Sequence, residues 1–135
     1  MSLRIIIADD HENIRKNLRV FLEEQTGMEV IAEAEDGIMV IKLSSEFNPD
    51  VVIMDITMPN LDGIEATRRI VAESPDIKVI ALSMHSDRRC VREMLSAGAS
   101  GYVLKDSGFD ELCEALRAVI NNQTYLSPEI ADIAV

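Results

Sequence analysis

Five short apolar runs alternate with five helical patterns along this chain, and four of the runs deliver a polar group at their C-terminal end. Arg4-Ile5-Ile6-Ile7-Ala8 leads into Asp9-Asp10, and Val51-Val52-Ile53-Met54 stops at Asp55. Lys78-Val79-Ile80-Ala81-Leu82 runs into Ser83, and Gly101-Tyr102-Val103-Leu104 into Lys105. Val30-Ile31-Ala32 with its neighbours is the remaining run. Such runs are apolar at both parities, as strands buried on both faces of a parallel sheet must be.

The intervening segments carry the helical period. Ile14, Leu18, Phe21 and Leu22 form one apolar stripe, which stops near Gly27. A second helix is expected from Asp36-Gly37 toward Phe47, ending before Pro49. After the loop Met58-Pro59-Asn60-Leu61-Asp62-Gly63, a third turns Thr67, Ile70 and Val71 inward. The fourth starts after Ser86 and buries Val91, Met94 and Leu95. Ser107-Gly108-Phe109-Asp110 fits a capping box for the fifth, whose inner stripe is Leu112, Leu116, Val119 and Ile120.

Strict alternation of strands and helices predicts an α/β fold: a doubly wound parallel sheet with helices on both faces and right-handed crossovers. Five strands suggest the flavodoxin-like (CheY-like) order 2-1-3-4-5. That order sets the first and third strands side by side, so Asp9, Asp10 and Asp55 share one crevice at the rim where such sheets place their chemistry. Ser83 and Lys105 reach the same rim.

Alone, each of these residues has a plain structural role: a helix-capping acid pair, a loop acid, a strand-end hydroxyl, a solvated lysine. Together, at the ends of four core strands, they point to phosphoryl transfer. Three close carboxylates raise one another's pKa, and a divalent cation relieves the conflict. Mg²⁺ suits a site of oxygens that also binds phosphate. Asp55 then serves as a carboxylate nucleophile, with Lys105 and Ser83 stabilising the transferring group.

The 135 residues fit one domain with a substantial core, here taken as 1–121. The polar break at Asn121-Asn122-Gln123-Thr124 is followed by Ser127-Pro128-Glu129, a helix-start signal. Residues 122–135 therefore read as a linker and the start of a helix leading to a further domain. No apolar run approaches the roughly 18 residues of a membrane span, and no signal peptide opens the chain, so a cytoplasmic protein without membrane contact is expected. Cys90 and Cys113 lack metal or redox spacing and read as reduced helix residues. A formal charge of −11 opposes direct contact with nucleic acid. Arg88, Arg89 and Arg92 at the start of the fourth helix read as a solvated helix face, with a partner patch as the alternative.

Four stretches carry a family resemblance: Ile7-Ala8-Asp9-Asp10-His11, the run from Asp55 to Gly63, Leu82-Ser83-Met84-His85, and Gly98 to Asp106. Over about residues 4–121 the chain resembles the receiver domain of bacterial two-component response regulators. The last two stretches, with Tyr125 to Glu129, resemble the NarL/FixJ-type (LuxR-like) subfamily, whose members continue into a helix-turn-helix DNA-binding domain. The resemblance implies that Asp55 is phosphorylated by a sensor histidine kinase. It assigns Mg²⁺ to Asp9, Asp10, Asp55 and the main-chain carbonyl of Thr57, phosphoryl binding to Lys105, and switching of the face formed by the fourth helix, fifth strand and fifth helix to Ser83 and Tyr102. Met84 and His85 flank access to the site. It also implies a signalling domain rather than an enzyme, reaching DNA only through a C-terminal domain, with homodimerisation possible. A stand-alone phosphoryl carrier is the alternative. Two positions depart from the family: Met84 where a small residue is common, and Asp106 where a cis-proline is common, so Lys105-Asp106 is expected to be trans. A HAD-type phosphatase would need an acid at position 57, and a flavodoxin would need a phosphate cradle where Asp9-Asp10 stand.

Overall fold

The computed structural model describes residues 2–84 and 86–131, leaving Met1, His85 and 132–135 outside the described residues. The strands are β1 (Leu3–Ala8), β2 (Met28–Ala34), β3 (Val51–Met54), β4 (Lys78–Ser83), β5 (Gly101–Leu104) and β6 (Tyr125–Leu126). The helices are α1 (Glu12–Glu23), α2 (Gly37–Phe47), α3 (Gly63–Glu73), α4 (Arg88–Ser96), α5 (Phe109–Ile120) and the short α6 (Pro128–Ala131).

The sheet is parallel throughout, in the order β2-β1-β3-β4-β5-β6. The expected order 2-1-3-4-5 is present, with a sixth strand that corrects the count. β6 has only two residues, too few to show a periodicity, and exists because its backbone pairs with β5, Gly101 opposite Tyr125 and Tyr102 opposite Leu126. The following residue completes the join. The Ser127 N–H donates to the Tyr102 carbonyl at 3.0 Å, and its hydroxyl accepts from the Leu104 N–H at 3.2 Å and donates to Glu111. Ile130 of α6 is buried in the core beside this edge.

Side chains alternate across the sheet and build two separate cores. On one face Ile5, Ile7, Val51, Ile53, Ile80, Leu82 and Val103 meet α1 and α5. On the other, Ile6, Val52, Met54, Val79, Ala81, Tyr102 and Leu104 meet residues of α2, α3, α4 and α6.

Three helices are capped by aspartates: Asp36 accepts from the Met39 N–H at 2.8 Å, Asp62 from Glu65 at 2.9 Å and Asp87 from Cys90 at 3.2 Å. The capping box expected for α5 does not form. Lys105–Ser107 wind into a 3₁₀ turn instead, and Gly108, at φ 92°, is the N-cap. Its positive φ suits glycine, and the turn carries Ser107 out of capping position. Ile120 is 45% exposed rather than inward. It lies about 100° round the helix from buried Val119, and Cys113 and Ala115 widen the inner stripe instead. Among the described residues no peptide bond is cis, Lys105-Asp106 included.

Candidate functional site

Alternation along the strands decides which chemistry faces which core. Asp9 continues Ile5 and Ile7, Asp55 continues Val51 and Ile53, and Lys105 continues Val103, all on the α1/α5 side. Ser83 continues Val79 and Ala81 on the opposite side, with Tyr102. The Asp55 N–H donates to the Ala8 carbonyl at 2.9 Å, which extends the β1–β3 ladder and sets the two acid-bearing ends level. The chain then folds back so tightly that a Cβ on Gly63 would lie 2.0 Å from the Asp55 carbonyl oxygen. Only glycine fits there, and α3 starts at that point.

Asp9, Asp10, His11 and Asp55 each bring a ligand atom within 4.8 Å of the others. The Lys105 ammonium donates to Asp9 Oδ2 at 2.9 Å and lies 3.5 Å from Asp55 Oδ1. Asp9 and Asp55 are buried, whereas Asp10 and His11 face solvent. Burial pushes the Asp55 carboxyl above the usual carboxylate range, and the negative charge of Asp9 adds to this, with Lys105 opposing. His11 donates its main-chain N–H to Asp9 Oδ1 at 2.8 Å, and its Nδ1 lies 2.8 Å from that oxygen and 3.1 Å from Asp10 Oδ1. The hydrogen bond to Asp9, followed by the charge of Asp10, raises its pKa. An acid-rich rim holding one half-buried lysine is electrostatically short of positive charge. The carboxylate oxygens of Asp9, Asp10 and Asp55 fit a hard divalent cation.

The sequence-derived residues divide into two groups. Asp10, Asp55, Thr57, Met84 and Lys105 line one open cleft together with His11. Ser83 and Tyr102 lie beneath the rim, wholly buried and hydrogen-bonded to each other through their side chains. Burial pushes the Tyr102 phenol up to about 12, with the Ser83 contact opposing. The tyrosine ring is thus already turned inward. Met84 is 69% exposed and also borders a second, largely apolar cleft of about 290 Å³ with Ile14, Leu18, Leu82, Phe109 and Leu112. His85 lies outside the described residues. Two contributors were not singled out from sequence: His11, whose adjacency to Asp10 was its only signal, and Arg15, whose Nη1 donates to the Asp9 carbonyl at 2.6 Å.

Comparison with known proteins agrees with this geometry. The family model for the response regulator receiver domain matches residues 5–117. The chain is 41% identical over 129 residues to the transcriptional regulatory protein DegU of Brevibacillus brevis, covering 96% of this chain and 55% of DegU. It is 38% identical over 129 residues to the response regulator GacA of Pseudomonas viridiflava, covering 96% of this chain and 60% of GacA. The chain therefore spans a little over half the length of these relatives. A crystal structure of a LuxR-family two-component response regulator from Aurantimonas sp. SI85-9A1 superposes with a TM-score of 0.94 at 36% identity, covering 99% of this chain and 96% of that one. With an acid-lined rim, a half-buried lysine and a serine–tyrosine pair on a 2-1-3-4-5 core, the chain belongs to the response regulator receiver family, in its LuxR-type branch, and is a phosphoacceptor domain of two-component signalling.

Proposed function

We propose that Asp55 is the phosphorylated residue, and that a sensor histidine kinase is the donor. One observation carries this reading: of the two buried acids of the cluster, Asp55 lines the open cleft, with the Lys105 ammonium 3.5 Å from its Oδ1, whereas Asp9 is tied up by Lys105 and His11. An Asp55 oxygen attacks the phosphorus of the donor's phosphohistidine, the P–N bond breaks, and the imidazole leaves with the bond's electron pair and takes up a proton. Lys105 sits where negative charge collects on the transferring group. Asp9, Asp10, Asp55 and the Thr57 carbonyl would hold Mg²⁺, which supplies charge neutralisation between acids and phosphate when bound. The raised Asp55 pKa supports that need, because a buried acid beside Asp9 stays ionised more easily once positive charge is added.

Ser83 and Tyr102 form the readout. A phosphoryl group on Asp55 adds about −1.5 to −2 charge and strong acceptors. The Ser83 hydroxyl gains a charge-assisted bond by moving toward it, and the side-chain contact to Tyr102 carries that movement under α4. The domain acts as a switch rather than as a turnover enzyme, and transcription is the output. The greater length of DegU and GacA supports an output that lies outside these residues, and the charge of −11 argues against DNA contact by the receiver itself.

Incubation with Mg²⁺ and acetyl phosphate should add one base-labile phosphate, read by intact mass. Asp55→Asn should abolish it. Full labelling of that variant would move the acceptor elsewhere.

A further inference from the structure

The β1–α1 turn presents two acids in succession, and the peptide plane between them decides where both carboxylates point. That plane is held from one side by a single residue. Arg15, on the first turns of α1, donates from Nη1 to the Asp9 carbonyl at 2.6 Å. Its Nε donates to Glu33 Oε1 on β2 at 3.1 Å, and the other Glu33 oxygen accepts from Arg19 Nη1 at 2.7 Å. The neighbouring β2 residue, Ala34, accepts the Asp9 N–H at 3.0 Å. Asp9 is thus gripped at both backbone ends by β2, directly through Ala34 and through Arg15 from Glu33. The Arg15 side chain is only 13% exposed, so this is a packed contact and not a swinging surface charge.

We infer that Arg15 is a positioning residue for the acceptor site: with Glu33 as its anchor, it fixes the Asp9–Asp10 peptide so that both carboxylates aim at the cation that Asp55 requires. This rests on the reading of Asp9, Asp10 and Asp55 as the Mg²⁺ ligands. Arg15 touches no carboxylate of the cluster, and its charge is engaged by Glu33. It acts through geometry alone. Outer partners that orient metal ligands typically change metal affinity by about 10- to 100-fold when removed.

The sign of the effect separates this role from plain electrostatics. Arg15 is a cation close to a cation site. Were charge its only influence, Arg15→Met would leave the rim more negative and Mg²⁺ would bind more tightly. Positioning requires the opposite. The test is an NMR titration with Mg²⁺ of the full chain, following amides of the Asp9–Asp10 and Thr57 loops, with thermal unfolding recorded in parallel. Arg15→Met should bind about tenfold more weakly than wild type. Arg15→Lys, which keeps one donor but cannot span Asp9 and Glu33 together, and Glu33→Gln, which weakens the anchor, should fall between. Equal or tighter binding in a folded Arg15→Met overturns the inference. If that variant does not fold, unchanged affinity in both Arg15→Lys and Glu33→Gln overturns it equally. A wild type without any Mg²⁺ response would instead overturn the metal assignment itself, and this inference with it.

Discussion

The two faces of the sheet are packed from different material. Toward α1 and α5 the buried hydrophobic cluster is aliphatic: isoleucine, leucine and valine, with one alanine. Toward α2, α3 and α4 the buried set includes Met54, Met58, Met94 and Tyr102. That side also holds the buried Ser44 hydroxyl, which has no hydrogen-bond partner among the described residues, beside a void of about 10 Å³. Branched aliphatics occupy few rotamers, whereas methionine has three soft torsions and refills irregular space. The proposed acceptor groups Asp9, Asp55 and Lys105 continue the aliphatic face, and the proposed readout pair Ser83 and Tyr102 belongs to the methionine-containing one. A phosphoryl site needs fixed distances, and a switch needs neighbours that can repack. One strand period serves both, because consecutive residues at the rim answer to different cores.

The sharpest way to break this comparison lies within one strand. Ile53 and Met54 are adjacent, both fully buried, and face opposite cores. Truncation to alanine costs about 2–5 kcal/mol in buried positions, and the value depends on how far the surroundings collapse into the space. Ile53→Ala should fall near the top of that range and Met54→Ala near the bottom, read from denaturant midpoints at constant slope. Equal losses would mean that the two faces yield alike.

A second effect concerns signal rather than stability. Ser83→Ala should still accept phosphate, more slowly, yet lose most of the response at α4. A ligand shifts a two-state element only through contacts that differ between the states, and the hydroxyl supplies that contact. Amide shifts of α4 with and without phosphate measure it, with α1 amides as the control from the aliphatic side. A full wild-type response at α4 would sever Ser83 from the readout.

The sequence is most legible where local pattern and burial coincide. Runs such as Val51–Met54 declared a strand, its burial and the delivery of Asp55 together, because a strand apolar at both parities has no other use. The serine, lysine and acids could be placed at one rim by topology alone. What stayed hidden depends on contacts between distant backbone atoms. Tyr125–Leu126 is a strand because β5 had an open edge, and no local pattern reports that. Ser107 looked like a cap, but the preceding residues spend their backbone on a 3₁₀ turn. Arg15 carries no local signal, since its meaning lies in the carbonyl of Asp9 and a carboxylate of β2. The inward rotamer of Tyr102 is likewise a tertiary fact.

A smaller effect tests the aliphatic side at its edge. Burial pushes the Glu33 carboxyl up, but Arg19 and Arg15 together bring it below its ordinary 4.5. A carboxyl depressed in the folded state adds stability that is present above the unfolded value and disappears as pH falls through the folded one. The Glu33 contribution should therefore be intact at pH 7 and fade as acid is added below about 4.5. Partly exposed pairs contribute about 0–1 kcal/mol, so the change is modest. Wild type should lose its advantage over Glu33→Gln as the pH falls below about 4.5 in parallel urea titrations. A constant gap across that range would leave the pair without a role in stability.

The smallest effect belongs to the residue where the two faces meet. Met84 follows Ser83, so alternation turns it back toward the α1/α5 side, and it borders both the acceptor cleft and the apolar cleft beside Phe109 and Leu112. At 69% exposure it contributes little to the core, and Met84→Ala should leave stability within about 0.5 kcal/mol of wild type. Its effect should be on access. A thioether chain at the mouth of the cleft stands in the path of any donor approaching Asp55, and small donors have no docking surface with which to displace it. Phosphorylation by acetyl phosphate should then be faster in Met84→Ala, while Mg²⁺ affinity, set by the acids beneath, stays the same. Stopped-flow rates at saturating Mg²⁺ separate the two. Equal rates would show that the side chain swings clear of the entrance, and a changed Mg²⁺ affinity would show that it packs on the acids rather than in front of them.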